Sequence, residues 1–267
     1  MVEHFEITKE FGMRFLEFGI GGGQIGRLPE APTAEEVRLF LEMGERFGIQ
    51  TPFCCLENDF TLADTDEHVA MVTKVLAQMQ VAKECGATHV RLFAGFTHVD
   101  SVDEAHWERL IAAFATCDTR AQELGLTIAI ETHGGIRFLA DGSAEHYHSV
   151  STEPQALQRL LKELPSEVGF NYDPGNLKAV YPEDRSYALS QLNDRINYCH
   201  LKDWRVQGNG WVAVAIGDDD LDYGHVLSNM TFDGVFLIEY EPLHDCEDGI
   251  RRSLDYLSTL DSIAVVL

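Results

Sequence analysis

The amino-acid sequence predicts an α/β fold, a single (β/α)₈ barrel over residues 1–267 whose first strand is irregular or missing. Short runs rich in β-branched and aromatic residues alternate with longer stretches that carry apolar residues at helical spacing, as expected of parallel strands joined by helices. Three of the longer stretches end in a glycine just before the next short run, at Gly48, Gly86 and Gly125, and a glycine there is a common helix stop signal. No linker rich in Pro, Gly or Ser divides the chain, which favours one domain.

Seven strands are predicted, one fewer than an eight-stranded barrel needs. The segment before Met13 is typical of the tail of a helix. Three arrangements therefore stay open at the start of the barrel: residues 2–6 form a short irregular strand, the barrel is open there, or a neighbouring chain covers the gap. The seven predicted strands are residues 13–20, 49–56, 88–95, 126–133, 168–173, 196–203 and 234–241.

The segments between the strands carry helix start signals, with Thr, Asp or Glu near their first residues. Between the last two strands, residues 211–230 predict a β-hairpin or extended loop followed by a short helix. The glycine-rich run 21–26 lacks the Lys and Ser/Thr of a phosphate-binding loop and the full dinucleotide fingerprint, so we interpret it as a flexible βα loop over the pocket. The predicted helices are residues 33–48, 66–86, 102–125, 153–165 and 245–260.

Acidic residues outnumber basic ones by 44 to 20, which gives a formal net charge of −24. Such a surface repels phosphate backbones and anionic lipids, so the charge argues against nucleic-acid and membrane partners. The six cysteines form no CxxC pair, and the sequence shows neither a secretory leader nor a transmembrane run. We therefore expect a cytoplasmic protein with reduced thiols.

Four ionisable residues fall at the carboxyl ends of four consecutive predicted strands: Glu131, Asp173, His200 and Glu239. In parallel barrels the loops at that end form the functional face. Each residue is flanked by hydrophobic β residues, where an unpaired charge is costly to bury, and a shared cation removes that cost. Three carboxylates and one imidazole suit Mn²⁺ first, with Mg²⁺, Co²⁺, Fe²⁺ or Zn²⁺ as alternatives. The simpler alternative is that each residue caps a loop or forms a salt bridge.

Four motifs, IAIETHGG, VGFNYDPGNL, NYCHLKDW and FLIEYEP, occur in this order and together resemble the xylose isomerase-like TIM-barrel superfamily. That superfamily includes sugar isomerases and epimerases, inosose dehydratases and endonuclease IV-type repair enzymes. The resemblance covers most of the chain from about residue 30 onward. It implies that Glu131, Asp173, His200 and Glu239 match the metal ligands of the ketose 3-epimerase branch, and that Glu131 and Glu239 are also the acid/base pair.

Other residues are candidates for catalysis and substrate binding. Metal coordination lowers the basicity of a carboxylate, so His133 and Lys202 remain alternative bases, and Lys202 belongs to the HxKD pattern of the superfamily. The resemblance places Arg205 near a substrate-binding arginine of the epimerase branch. Trp204 is a candidate for an apolar wall against the C–H faces of a sugar, with ordinary core packing as the alternative.

Two departures from the family pattern bear on the reaction. Asn176 stands where repair nucleases and ketose epimerases tend to carry the histidine of DxxH, and this removes a ligand expected of a multinuclear nuclease centre. Arg137 occupies the region where ketose epimerases tend to place another acidic substrate contact. We expect both residues to contact substrate. His146 and His148 could share one face of a strand and suggest a second metal, but we expect a solvated loop.

The sequence thus predicts a divalent-metal-dependent isomerase or epimerase of a keto-sugar or related polyol, acting by proton transfer through a metal-bound enediolate. The alternative is a metal-dependent lyase that performs β-elimination on a keto-sugar, an inosose or a 3-keto-glycoside, including cleavage of C-glycosides. A third interpretation is a non-catalytic sugar-binding subunit whose barrel is completed by a partner. In each case we expect a small carbohydrate ligand and a homo-oligomer or hetero-oligomer.

Overall fold

The structure is a computed structural model that describes residues 1–242 and 244–261. Within these residues the chain forms eleven strands and nine α-helices. The strands are β1 Phe15–Ile20, β2 Gln50–Leu56, β3 His89–Phe93, β4 Thr127–Glu131, β5 Gly135–Phe138, β6 Ala144–Tyr147, β7 Gly169–Tyr172, β8 Ile196–Leu201, β9 Asp203–Gln207, β10 Gly210–Val214 and β11 Phe236–Ile238. The helices are α1 Val2–Glu10, α2 Ala34–Phe47, α3 Thr65–Glu84, α4 Glu104–Leu124, α5 Pro154–Glu163, α6 Pro174–Val180, α7 Leu189–Leu192, α8 Tyr223–Ser228 and α9 Cys246–Leu257.

Seven strands form one parallel sheet in the order β1-β2-β3-β4-β7-β8-β11, which curls into a nearly closed barrel with helices between its strands. The seven predicted strands are confirmed, and so is the barrel fold. Residues 2–6 belong to α1, so the alternative in which they form an irregular first strand is wrong. Among the described residues, β1 and β11 end the sheet, and a cavity of about 590 Å³ lies between them.

The predicted helix signals are present in the structure. Thr33 caps α2 in a capping box with Glu36, in which each side chain accepts a hydrogen bond from the backbone N–H of the other residue. Gly48 and Gly125 end α2 and α4 in the left-handed conformation, with φ of 71° and 63°, which costs glycine little because it has no Cβ. These caps fix where each helix returns the chain to the sheet.

Side chains of the parallel strands alternate between two environments. On β4, Ile128 and Ile130 belong to the main hydrophobic core, whereas Ala129 belongs to a smaller apolar cluster inside the barrel. The inner cluster also contains Tyr198 and Leu237, each two residues before one of the predicted ligands. Apolar residues therefore fill the barrel one layer below its carboxyl end, and the polar groups are left at the carboxyl end.

A second sheet lies outside the barrel in the strand order β5-β6-β10-β9, with antiparallel pairing throughout. Its strands follow β4 and β8, so they belong to the loops at the carboxyl end of the barrel. A hairpin is present as β9 and β10, but it spans Asp203–Val214, so its predicted placement within residues 211–230 is wrong; the predicted short helix is present as α8. In the part of the chain that the structure describes, every helix is too short or too polar to cross a membrane.

Candidate active site

The four residues predicted at strand ends converge at the carboxyl end of the barrel. Glu131 is the last residue of β4, Asp173 directly follows β7, His200 is the penultimate residue of β8, and Glu239 directly follows β11. One donor atom from each residue lies within 4.8 Å of the others. Three of the residues are buried, and the Glu239 side chain is 32% exposed. The arrangement is a compact set of three carboxylates and one imidazole with one open side.

Local structure orients the Asp173 carboxylate. Asp173 is the N-cap of α6, and its Oδ1 accepts the backbone N–H of Asn176 at 2.9 Å. Its own backbone N–H donates to Thr132 Oγ1 at 2.9 Å. Oδ1 is thus engaged by the helix, whereas Oδ2 accepts the Asn176 side-chain amide at 3.1 Å and lies 3.9 Å from Lys202 Nζ.

The His200 ring presents Nδ1 to the cluster. This nitrogen lies 3.1 Å from Glu239 Oε2 and 3.5 Å from Glu131 Oε1. The other nitrogen, Nε2, lies 2.6 Å from Glu17 Oε2. A histidine that ligates a metal through one nitrogen usually donates its other N–H to a carboxylate or carbonyl, and this ring has that arrangement.

Glu17 and Arg91 were missed by the sequence reasoning. Arg91 donates from Nε and Nη2 to Glu17 Oε1, both at 3.1 Å, and from Nη1 to Glu131. Burial by itself raises the pKa of Glu17, but Arg91 and His200 outweigh it and lower that pKa to about 2. The available signal was a single charge within each apolar strand run, FLEFGI and HVRLF.

Asn176 and Trp204, two predicted substrate contacts, lie beside the cluster. Asn176 Nδ2 donates to Glu131 Oε1 at 3.2 Å and to Asp173 Oδ2 at 3.1 Å. Its Oδ1 accepts the indole N–H of Trp204 at 3.3 Å. The amide therefore bridges two carboxylates and links them to an aromatic ring.

Lys202 supplies positive charge to the site. Its Nζ lies 2.7 Å from Glu239 Oε2, 2.6 Å from Glu241 Oε1 and 3.9 Å from Asp173 Oδ2. Burial by itself lowers the pKa of this amine, but Glu239 and Glu241 raise it well above its usual value. Lys202 is therefore charged in this arrangement, which suits a proton donor or electrostatic role better than that of a base.

The donor set fits a divalent cation. Burial raises the pKa of Asp173 to about 7; Lys202 opposes the rise, and Glu131 and Glu239 add to it. Carboxylates this close repel one another. Three carboxylate oxygens and one imidazole nitrogen are ligands that suit a hard divalent cation. The chemistry of these residues therefore fits Mn²⁺ or Mg²⁺.

His133 lies two residues beyond Glu131 and is half-buried. Its ring packs edge-on against Phe93 and Phe96, with centroids 5.4 and 5.6 Å away, and its Nδ1 contacts the Gly134 carbonyl. Burial is the main cause that lowers the pKa of this imidazole. The ring is therefore neutral, and when Nδ1–H donates to Gly134, Nε2 keeps a free lone pair.

Arg137 and Arg205 occupy exposed positions of the second sheet. Arg137 lies on β5 and pairs with Glu145 of β6, and its side chain is 69% exposed. Arg205 lies on β9 and is exposed to solvent. The structure does not bury these arginines beside the four-residue cluster, and their role in substrate binding stays a prediction.

His146 lies on β6, so the expectation that it belongs to a solvated loop is wrong. Its ring packs edge-on against Trp204, with centroids 4.6 Å apart, and both ring nitrogens are buried with no hydrogen-bond partner among the described residues. His148 instead has Nδ1 3.3 Å from Thr152 Oγ1 and its ring against Tyr181. The two imidazoles therefore have different neighbours.

Comparison with known proteins agrees with this architecture. A family model described as xylose isomerase-like TIM barrel matches residues 5–260. No curated protein sequence matches the chain.

Among solved structures, a xylose isomerase domain protein from Planctomyces limnophilus is 17% identical, with 96% of this chain and 90% of that chain covered and a TM-score of 0.73. A xylose isomerase-like TIM-barrel protein from Mycobacterium smegmatis in complex with magnesium is 14% identical, with 98% and 89% covered and a TM-score of 0.72. D-allulose 3-epimerase from a Methylomonas species in complex with D-allulose is 12% identical, with 96% and 89% covered and a TM-score of 0.70. At these identities the likeness shows a shared fold.

Proposed function

Because the chain belongs to the xylose isomerase-like TIM-barrel family, we propose that it is a metal-dependent isomerase or epimerase of a small keto-sugar or related polyol. The convergence of Glu131, Asp173, His200 and Glu239 within 4.8 Å carries the proposal. Among the proteins of similar structure, one is an epimerase in complex with a ketose. Isomerisation of a sugar beside its carbonyl needs a group that carries the proton and an electrophile close to it. In this cluster a glutamate would carry the proton and the bound metal ion would be the electrophile.

The same four residues would hold one divalent ion, with Mn²⁺ as the preferred ion. Magnesium is the ion in one protein of similar structure. When bound, the ion would polarise the substrate carbonyl and balance the negative charge that develops on its oxygen. Glu239 is partly exposed, which leaves that side of the cluster accessible to substrate oxygens.

Glu131 and Glu239 are the proposed acid/base pair. Glu131 ends β4 and Glu239 directly follows β11, with β7 and β8 between these strands, so one carboxylate is proposed to remove a proton from a carbon and the other to return it. Burial by itself raises the pKa of Glu131, but Arg91 outweighs it and keeps the pKa low, which makes this carboxylate a weak base. His133, neutral and adjacent, is the alternative base, and the Lys202 ammonium can donate to a substrate oxygen.

Substrate recognition is assigned to the residues around this centre. Trp204 is buried and packs against His146, so its proposed role is to orient Asn176 beside the carboxylates, and a contact of its ring with sugar C–H groups stays a prediction. Arg205 and Arg137 on the second sheet are proposed contacts for hydroxyls farther from the reacting carbon. Guanidinium groups suit such contacts because they present several donors in a fixed plane.

Asn176 favours a lyase as a second candidate. An amide cannot exchange a proton as an imidazole does, so one group that could return a proton to carbon is replaced at this position. β-Elimination from a keto-sugar, an inosose or a 3-keto-glycoside begins with the same proton removal and does not require that return. The two reactions differ only in what happens after the first step.

Deuterium exchange separates the candidates. The purified chain, loaded with Mn²⁺, is incubated in D₂O with ketohexoses and, separately, with an inosose and 3-keto-glycosides. Deuterium in an intact or epimerised sugar supports the proposed function, whereas release of water or an aglycone supports the lyase. Absence of exchange and of elimination from a fully metal-loaded chain would overturn both and leave the sugar-binding subunit.

Variants connect this activity to the site. His200→Ala and Glu239→Gln are expected to lose stoichiometric Mn²⁺ by elemental analysis while keeping the far-UV circular dichroism of the fold. Glu145→Gln is the matched control, because it removes a carboxylate that pairs with Arg137 on the second sheet. Full metal occupancy in both site variants would refute the assignment of the ligands.

A further inference from the structure

Glu17, from β1, contacts the back of the His200 ring. Its Oε2 lies 2.6 Å from His200 Nε2 and also accepts the Tyr198 hydroxyl at 2.8 Å. His200 Nδ1, on the opposite side of the ring, lies 3.1 Å from Glu239 Oε2. A flipped or rotated imidazole would lose the contact with Glu17, so this carboxylate selects the ring orientation that points Nδ1 at the cluster.

Arg91 connects Glu17 to a second member of the cluster. The guanidinium donates twice to Glu17 Oε1 at 3.1 Å and, through Nη1, to Glu131 Oε2. The other oxygen of Glu131, Oε1, is left facing Asn176 and the ring of His200. One ion pair between β1 and β3, which lie on either side of β2, therefore restrains two of the four cluster residues.

Arg91 is buried and Glu17 is half-buried, with side-chain exposure of 6% for Arg91 and 17% for Glu17. Burying an ion pair costs free energy unless further hydrogen bonds satisfy the charges. Here the further hydrogen bonds go to the Tyr198 hydroxyl and the Cys55 thiol, and also to His200 and Glu131, two residues of the proposed metal centre. The contacts to His200 and Glu131 are the ones that connect the pair to the proposed metal centre.

We propose that Glu17 and Arg91 are positioning residues that act as one unit: Glu17 fixes His200 with Nδ1 toward the metal, and Arg91 fixes the oxygen that Glu131 presents to it. The proposal rests on the proposed metal centre. Removing such a partner of a ligand typically lowers metal affinity by about 10- to 100-fold. The position of His200 and Glu131, rather than the mere presence of the four ligands, then sets the affinity.

The test measures the Mn²⁺ dissociation constant by competition with a fluorescent chelator, and the melting temperature in excess EDTA. Glu17→Ala is expected to weaken Mn²⁺ binding by about 10- to 100-fold. Glu17→Gln keeps an acceptor for His200 and is expected to recover a large part of the loss. Glu57→Gln, which removes a carboxylate paired with Arg27 in the same part of the barrel, is the control for charge alone.

Coupling between the two residues is tested by a double-mutant cycle. If they act as one unit, Glu17→Ala combined with Arg91→Met weakens Mn²⁺ binding no more than the larger single substitution does. Additive losses, or equal losses in Glu17→Ala, Glu17→Gln and Glu57→Gln, would overturn the proposal. A lower melting temperature in EDTA with an unchanged dissociation constant would also overturn it, because the pair would then be structural.

The outcome is separable from that of the proposed function. If the unchanged chain binds no divalent ion, the metal centre itself fails. If the unchanged chain binds Mn²⁺ and Glu17→Ala binds it equally well, only the positioning role fails.

Discussion

The Trp204 indole N–H donates to Asn176 Oδ1 at 3.3 Å, which fixes the amide so that its Nδ2 points at two carboxylates. The amide group has a defined orientation, because the indole is only a donor and must meet an oxygen. Asn176 thereby donates to Glu131 and Asp173 from a position where a carboxylate side chain would repel both of them. Its donor group compensates part of their mutual repulsion when no cation is bound.

We expect Asn176→Asp to destabilise the metal-free protein and to increase its stabilisation by added metal. The new carboxylate adds negative charge between Glu131 and Asp173, where a dication is the natural counter-charge. The measurement is the melting temperature in EDTA and in saturating Mn²⁺. Asn229→Asp, at an exposed position, is the control. A metal-induced increase in melting temperature no larger than that of the unchanged chain would contradict the prediction.

Metal removal should lower the stability of the unchanged chain. A ligand that binds only the folded state stabilises it by about 2.7 kcal/mol at a free concentration 100 times its dissociation constant. We therefore expect the free energy of unfolding in urea to fall by roughly this amount between saturating Mn²⁺ and excess EDTA. His200→Ala should show little difference between the two conditions. An equal response in that variant would place the metal elsewhere.

The predicted ligands could be found from sequence because strand-end position is a local property. Glu131 and Asp173 close apolar runs, and parallel strands bring such ends to one face. Glu17 and Arg91 could not be assigned in the same way. Each is one charge within an apolar strand, and the sequence does not show that Glu17 reaches His200 or that Arg91 reaches Glu131.

The second sheet was largely missed for a different reason. β5 and β6 have four residues each, and β6 pairs with β10 through Ala144 and Trp211, which are far apart in the chain. Short strands at the ends of loops carry weak periodicity, and their pairing depends on tertiary contacts. The interpretation of His146 as part of a solvated loop was wrong because β6 pairs with β5, where His146 lies opposite Ile136.

His146 should make stability depend on pH. Burial lowers its pKa from 6.5 to about 3, with smaller contributions from His133 and Lys202. The unfolded chain binds a proton as the pH falls below 6.5, whereas the folded chain does not until near pH 3, so stability is lost between these values. The slope from one such group is about 1.4 kcal/mol per pH unit, which predicts a loss of about 2 kcal/mol between pH 6.5 and pH 5.

The measurement for His146 is the free energy of unfolding in urea at pH 7 and pH 5. Between pH 7 and pH 5, the free energy of unfolding of His146→Leu should fall by about 2 kcal/mol less than that of the unchanged chain, because leucine cannot bind the proton. His244→Leu is the control, since the His244 side chain is 84% exposed. An equal pH dependence in His146→Leu and the unchanged chain would mean that the imidazole is solvated.

Lys178 should be required for the stability of α6, the helix that Asp173 caps and that carries Asn176. Its side chain is fully buried, and Nζ lies 2.8 Å from Asp203 Oδ1 and 2.7 Å from Asp219 Oδ2. Asp203 is itself fully buried, so Lys178→Met leaves that carboxylate with an uncompensated charge. Breaking a buried pair in this way typically costs about 3–5 kcal/mol.

Lys178→Met is therefore expected to lower the free energy of unfolding in urea by about 3–5 kcal/mol, and Lys162→Met, at an exposed position of α5, by much less. The combined variant Lys178→Met with Asp203→Asn removes the unpaired charge and should recover part of the loss. If the single and the combined variants are equally unstable, the lysine contributes through packing rather than charge. In that case the lower free energy of unfolding of Lys178→Met would come from lost packing of α6 and not from the broken ion pair.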